Sequence, residues 1–206
     1  MFDISIKPDL RGLEKSLNGF AYQQLPFAVA QGLTVIAKRV ADAEVENMQR
    51  VLDRPTPFTL KSVGVKGATK SSQEATVFIK DVAAAYLEPY EFGGMNKLSG
   101  RALLRPANVN VNQYGNLPRK KLAQLKARKD IFIGAIKTRN GQVNGVWQRV
   151  PPQRGKPASL KLLIKFEDAH EVTQRLGWRD LAQKVVRANL DRELGKALAK
   201  AIASAK

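Results

Sequence analysis

The sequence predicts an α+β fold, in which a mostly antiparallel sheet of about six strands is accompanied by long N-terminal and C-terminal helices. Two long stretches with apolar residues three or four positions apart predict the helices, and short stretches of alternating apolar and polar residues predict the strands. Hydrophobic residues make up 44% of the 206 residues, which is enough for a packed core. We therefore expect a single α+β domain over 1–206, with an extended irregular arm at 82–118.

The N-terminal segment predicts a short strand and a short helix. Phe2, Ile4 and Ile6 alternate with polar residues, and Pro8 closes this strand. A short helix is predicted over Asp9–Leu17, because an aspartate is a favoured N-cap residue and Asn-Gly follows the segment.

A long helix is predicted from Leu25 to Leu52. Its apolar residues recur at steps of three and four, while most charged residues fall on the other face. The apolar stripe consists of Val29, Leu33, Ile36, Val40 and Ala43. Pro55 and Pro57 cannot donate the backbone hydrogen bonds that a helix requires, so the helix must end before them.

The remaining strands are predicted in two groups. Ser62–Ala68 and Ala75–Asp81 form a pair around a polar turn. Ile131–Lys137 and Val146–Val150 form a second pair, and the Asn-Gly dipeptide between them is a hairpin signal. Leu160–Phe166 is a further strand after a proline-rich loop.

Two more helices complete the prediction. Pro118 suits the first position of a basic helix over Arg119–Lys129. The C-terminal helix is predicted over Ala169–Ala203, because Leu190 and Leu194 begin an apolar series with a step of four.

The segment 82–118 is rich in proline, glycine and asparagine and is predicted to be irregular. Such long irregular segments in compact domains are usually functional or disordered. Its aromatic residues favour an arm that becomes ordered against a partner. The candidates for inter-subunit contacts are Tyr86, Tyr90, Phe92 and Tyr114.

The net charge of +17 is concentrated in one stretch, from Lys97 to Lys165. This stretch has sixteen basic residues and one acid, Asp130, so its net charge is +15. Three interpretations of this stretch are open: a surface that binds nucleic acid, a surface that binds an acidic protein, or a solvated face, which is the usual role of a charge run. The candidates for contact with a partner or with DNA are Arg101, Arg105, Arg119, Lys120, Lys121, Lys126, Arg128, Lys129, Arg149 and Arg154.

No motif in the sequence predicts a catalytic, cofactor-binding or metal site. The chain has no cysteine, so disulfides, thiolate metal sites and cysteine nucleophiles are excluded. A Ser-His-Asp triad would have to use the one histidine, His170, and the sequence has no nucleophile elbow. A further hypothesis is a hydrolase that uses Asp53, Glu91 or Asp130, of which Glu91 lies beside a flexible Gly-Gly pair. We expect a protein that is not an enzyme and that needs no cofactor.

The sequence also predicts no membrane association. The most apolar run, Leu25–Ala37, is shorter than the roughly twenty residues that a bilayer span requires. Met1–Ser5 lacks the basic and apolar regions of a signal peptide.

Several turn and loop motifs resemble a group of tailed-phage and prophage proteins, the small minor tail or tail-completion proteins akin to the minor tail protein Z family. The resemblance covers about residues 25–150. Its motifs are Asp53-Arg54-Pro55-Thr56-Pro57-Phe58-Thr59, Ala68-Thr69-Lys70, Tyr86-Leu87-Glu88-Pro89, Glu91-Phe92-Gly93-Gly94, Leu103-Leu104-Arg105-Pro106, Tyr114-Gly115-Asn116 and Gly145-Val146-Trp147-Gln148-Arg149.

The resemblance implies a virion structural protein at the head–tail junction, assembled in the host cytoplasm and located in the tail or neck. It implies a homo-oligomeric ring, usually sixfold in such proteins, that contacts other phage tail and neck proteins, with genomic DNA as a further candidate partner. A long helix, an irregular arm and a surface of one charge sign suit a subunit that packs heterologously around an axis.

An alternative from another class is a sequence-independent nucleic-acid-binding protein that uses the basic segment 97–165. In that case the helix over Arg119–Lys129 would follow the phosphate backbone, and binding would weaken steeply with salt.

Overall fold

The computed structural model, which describes residues 3–6, 21–96, 100, 102–153 and 155–204, confirms the predicted α+β class. The chain divides into two compact units. The first unit consists of Met1–Gly93 and Thr173–Lys206, and the second consists of Gly94–Val172. The two units do not test whether residues 1–206 form a single domain, so that expectation stays a prediction.

The helices and strands follow one another along the chain in this order. Those in Met1–Gly93 are β1 (Asp3–Ile6), α1 (Ala21–Val51), α2 (Pro57–Leu60), β2 (Val63–Lys66), β3 (Ala75–Ile79) and α3 (Asp81–Phe92). The others are β4 (Gly94–Met95), β5 (Leu103–Pro106), α4 (Lys121–Lys126), β6 (Ile131–Thr138), β7 (Gly141–Val150), β8 (Ser159–Glu167), β9 (Glu171–Val172) and α5 (Trp178–Ser204).

The first unit is built on α1, which has 31 residues and is about 46 Å long at 1.5 Å per residue. Its predicted stripe faces inward, because Leu33, Ile36 and Val40 have no exposed surface. This stripe packs against α5 and against an antiparallel sheet with the strand order β1-β3-β2. A Cβ atom at Gly32 would lie 2.8 Å from Leu194 Cδ2, so the two helices approach closely there.

The end of α1 is fixed by the segment that follows it. Arg54 has a φ of 46°, a left-handed conformation that breaks the helix before Pro55. Thr56 then caps α2, since its side-chain oxygen accepts a hydrogen bond of 3.2 Å from the backbone N–H of Thr59.

The irregular segment predicted at 82–118 is corrected by the structure, because its first third forms helix α3. Ala83, Ala84 and Leu87 are buried against the core of the first unit, and this burial outweighs the helix-breaking tendency of Pro89. Gly93, with a φ of 76°, ends the helix. The rest of the segment contains only the short strands β4 and β5 within its described residues.

The second unit contains an antiparallel sheet with the strand order β5-β8-β7-β6. The predicted hairpin is present: Thr138 pairs with Gly141, whose φ is 111°. The pairing of β7 with β8 shifts register by one residue, because Val146 pairs with Ile164 and Trp147 pairs with Leu162, which leaves Leu163 of β8 as the extra residue. The core of the unit consists of Leu125, Val146, Leu163 and Ile164.

Some predicted boundaries differ from the observed ones. The predicted basic helix over Arg119–Lys129 is shorter, Lys121–Lys126, and the strand predicted at Val146–Val150 is longer, Gly141–Val150. The predicted C-terminal helix begins at Trp178, because Gly177 before it has a φ of 61°. The helix predicted over Asp9–Leu17 lies outside the described residues.

Candidate functional site

The charge asymmetry of the sequence coincides with the division into two units. The second unit, Gly94–Val172, has sixteen basic and four acidic residues, which is a net charge of +12. The first unit has nineteen basic and fourteen acidic residues, which is a net charge of +5. The basic stretch of the sequence is therefore a property of one folded unit.

The single acid of the basic stretch, Asp130, is held by its own neighbours. Arg128 binds both of its carboxylate oxygens, with Nε–Oδ1 and Nη2–Oδ2 distances of 3.0 and 2.6 Å. Gln148 Nε2 donates a hydrogen bond of 2.8 Å to Asp130 Oδ2. These hydrogen bonds, that from Arg128 foremost, hold the pKa of Asp130 below its usual value. The carboxylate has therefore little capacity left for other cations of the unit.

A second acid, Glu167, is shared by two basic residues that the sheet register places opposite each other. Arg105 in β5 pairs with Lys165 in β8. Lys165 Nζ lies 2.9 Å and Arg105 Nη1 lies 3.2 Å from Glu167 Oε1. The hydrogen bond from Lys165, followed by that from Arg105, lowers the pKa of Glu167. Glu167 thus relieves the repulsion between two cations on neighbouring strands.

Helix α4 and its flanks present basic side chains because their apolar residues are used for packing. Leu125 is buried in the core, and Leu122, three residues earlier, packs against it. This leaves the other directions to charged residues. Lys120, Lys126 and Lys129 are exposed.

Ten basic side chains of the stretch form no ion pair with an acid anywhere in the described residues. Of these, Arg149 stacks its guanidinium over the Phe132 ring, 4.7 Å from the ring centre. The ten are Arg119, Lys120, Lys121, Lys126, Lys129, Lys137, Arg139, Arg149, Lys156 and Lys161.

The predicted contact residues therefore fall into three groups. Arg105 and Arg128 are engaged with Glu167 and Asp130. Arg101 and Arg154 lie outside the described residues. The others carry a charge that no described acid neutralises, and they are Arg119, Lys120, Lys121, Lys126, Lys129 and Arg149.

The predicted arm residues do not lie on one arm. Tyr86 and Tyr90 belong to α3 and are half-buried against the core of the first unit. The Tyr86 hydroxyl is hydrogen-bonded to Thr59 Oγ1 at 2.9 Å. Phe92 is 66% exposed at the end of the same helix. Tyr114 lies in a loop of the second unit, where its backbone N–H donates to an asparagine side chain.

The acids considered for hydrolysis have separate structural roles. Glu91 lies in the last turn of α3 and is buried against the first turn of α5. Its carboxylate accepts hydrogen bonds from the backbone N–H groups of Trp178 and Arg179, at 2.8 and 3.4 Å. Asp53 is exposed and pairs with the adjacent Arg54. Asp130 belongs to the other unit.

Sequence reasoning missed a buried carboxyl group in the first unit. Glu44 has no exposed surface, and neither of its carboxyl oxygens has a hydrogen-bond partner. Burial and, secondarily, the charge of Glu91 raise its pKa to about 9. The signal in the sequence is its spacing, since Glu44 follows Val40 and precedes Met48 by four residues, on the buried stripe of α1.

Other features and the comparisons with known proteins add no further site. Among the described residues, no three acidic or histidine side chains form a group that could hold a metal ion. Within the same ranges, no helix combines the length and the apolarity needed to cross a membrane. No protein-family model, curated protein or solved structure matches the chain.

Proposed function

We propose that the chain is a non-enzymatic structural subunit of a tailed-phage virion, acting in tail completion or in the neck at the head–tail junction. The motifs that resemble the minor tail protein Z group support this role. The protein would form a ring, sixfold by the same resemblance, and contact other tail and neck proteins.

The observation that carries the proposal is the set of ten unneutralised basic side chains in the second unit. Charges of one sign on a small unit repel one another and destabilise its compact state unless a counter-charge is supplied. Asp130 and Glu167 are already engaged, and the two other acids of the unit, Asp168 and Glu171, are too few to balance ten cations, so most of the counter-charge has to come from outside this unit. An acidic surface of a neighbouring subunit or the end of the genome would supply it.

A charge-reversal experiment tests this role. Changing Lys120, Lys126 and Lys129 to Glu together should abolish particle assembly or infectivity, because the surface would then repel an anionic neighbour. Purified virions should contain the wild-type protein in multiples of the ring order. A matched control reverses the exposed Lys61, Lys66 and Lys184 of the first unit.

Two results would contradict this role. One is the absence of the protein from purified virions. The other is normal particle yield and infectivity for the variant with three reversed lysines in the second unit.

The second candidate function is sequence-independent nucleic-acid binding. Two features favour this function: the exposed lysines around α4, and the guanidinium of Arg149 on the Phe132 ring. Proteins usually bind single-stranded nucleic acid with cationic side chains along the phosphate backbone and with aromatic rings. A salt titration of duplex and single-strand binding discriminates the two functions. A steep negative slope of log affinity against log salt supports nucleic-acid binding, and no binding at about 50 mM salt excludes it.

A further inference from the structure

The first unit contains a groove between the outer face of α1, the turn after β2 and the C-terminal part of α5. It has a volume of about 560 Å³. A smaller groove of about 400 Å³ continues past Phe27 and shares several of its lining residues. The side chains that matter for binding are Phe27, Val35, Lys38, Lys70 and Lys200.

One part of this groove is apolar and accessible. Phe27 is 48% exposed and Val35 is 40% exposed, although the opposite face of the helix is fully buried. They lie eight residues apart, on the same side of α1. Lys70 extends over the Phe27 ring, with Nζ 5.4 Å from the ring centre.

The turn that forms the second wall is held rigidly in place. Thr34 Oγ1 accepts a hydrogen bond of 3.0 Å from the backbone N–H of Ala68, and a Cβ atom at Gly67 would lie 3.1 Å from the same oxygen. Within the turn, the backbone N–H groups of Thr69 and Ser72 donate to partners of the turn itself. The groove therefore exists before any ligand binds.

The charges of the groove have one sign. Its described lining includes three lysines, Lys38, Lys70 and Lys200, and no acid. None of these lysines forms an ion pair with an acid among the described residues. A ligand that fits must carry negative charge on its rim and an apolar group at its centre.

The kinds of cation and hydrogen-bond donor in the groove favour an acidic peptide over a phosphate group as its ligand. Phosphate sites commonly use arginine forks and free backbone N–H groups. In this groove the cations are all lysines, and the N–H groups of Ala68, Thr69 and Ser72 are already engaged. Lysines also bind phosphate, but as point charges without the bidentate geometry of an arginine fork, so the groove lacks the donors that would favour phosphate over carboxylate.

We propose that this groove binds an acidic peptide segment of a partner protein, with an apolar side chain of that segment against Phe27 and Val35. Its carboxylates would lie near Lys38, Lys70 and Lys200. The groove belongs wholly to the first unit, so this binding is separate from the contacts of the basic second unit.

Fluorescence anisotropy with the full chain tests this binding at about 150 mM salt. The probe is a labelled nonapeptide of aspartate and glutamate with one central phenylalanine, and its companion has alanine at the centre. Phe27→Ala should weaken binding of the first peptide about ten-fold and leave binding of the second unchanged, because the two changes remove the same contact. Lys70→Glu should weaken binding of both peptides.

A control variant separates this groove from general charge attraction. Lys184→Glu changes an exposed lysine on α5 outside the groove and should leave both affinities unchanged. The proposal is overturned if the phenylalanine peptide does not bind the wild type, or if Phe27→Ala and Lys70→Glu bind it like the wild type. Loss of binding on reversal of Lys120, Lys126 and Lys129 would then place the attraction in the second unit. The proposal is equally overturned if an oligothymidylate of eight nucleotides binds the wild type more tightly than the peptide does and Phe27→Ala weakens that binding. Circular dichroism melts establish that each variant is folded.

Discussion

At the scale of single residues, Glu44 is the most unusual carboxyl group in the described part of the chain. A carboxyl group with no exposed surface and no hydrogen-bond partner is costly to ionise, and the nearby charge of Glu91 adds to that cost. With its pKa raised to about 9, Glu44 is neutral in the folded protein at pH 7. In the unfolded chain it ionises near its ordinary value of 4.5.

The stability of the protein should therefore fall as pH rises from about 6 to 8. In this range the folded state binds one proton that the unfolded state does not, so the free energy of unfolding decreases by about 1.4 kcal/mol per pH unit. The chain has one histidine and no cysteine, so few other groups titrate there. Urea unfolding at pH 6, 7 and 8 measures this slope.

The variant Glu44→Gln should remove most of this slope and raise the free energy of unfolding at pH 8 by about 1–3 kcal/mol, since the amide needs no proton. Glu46→Gln, an exposed position on the same helix, is the matched control and should keep the slope. An unchanged slope in Glu44→Gln would refute the assignment.

At the scale of elements, Glu91 joins α3 to the first turn of α5. Replacing it with alanine leaves the buried N–H of Trp178 without its acceptor and should lower the free energy of unfolding by about 1–3 kcal/mol. Glu91→Gln retains an acceptor oxygen and should cost less. Equal losses in the two variants, measured by urea unfolding, would contradict a capping role.

The sheet of the second unit offers a matched pair of glycines. Gly134 in β6 pairs with Gly145 in β7. A Cβ atom at Gly145 would lie 2.3 Å from the Ile164 carbonyl oxygen, whereas one at Gly134 would meet nothing closer than 3.9 Å. Gly145→Ala should destabilise the unit by about 1–3 kcal/mol, and Gly134→Ala should be tolerated. Thermal melts of both variants check this difference, which would be refuted by equal melting temperatures.

The elements differ in how far the sequence alone could predict them. The helix α1 was predictable because its stripe is continuous and prolines follow it. Helix α3 was not, because Pro89 and the glycines after it indicate a loop, and only the burial of Ala83 and Leu87 against distant parts of the chain decides the outcome. Glu91 caps a helix 87 residues later, which no local pattern reveals.

At the scale of the whole molecule, the charge is divided between two units rather than spread along the chain. The excess of basic residues was predictable from composition alone. The sequence could not predict which of these residues are neutralised by acids. For example, Arg105 and Glu167 are 62 residues apart in sequence, and only the pairing of β5 with β8 brings them together. The groove beside Phe27 was equally hidden, since its walls come from three separate elements.

The central hypothesis is that the ten basic side chains of the second unit meet an anionic partner in an assembly. A particle image at side-chain resolution tests it most directly. We expect Lys120, Lys126 and Lys129 to lie within about 4 Å of carboxylates of a neighbouring protein or of DNA phosphates, in every subunit of a ring. A ring in which these side chains face only solvent would contradict the hypothesis.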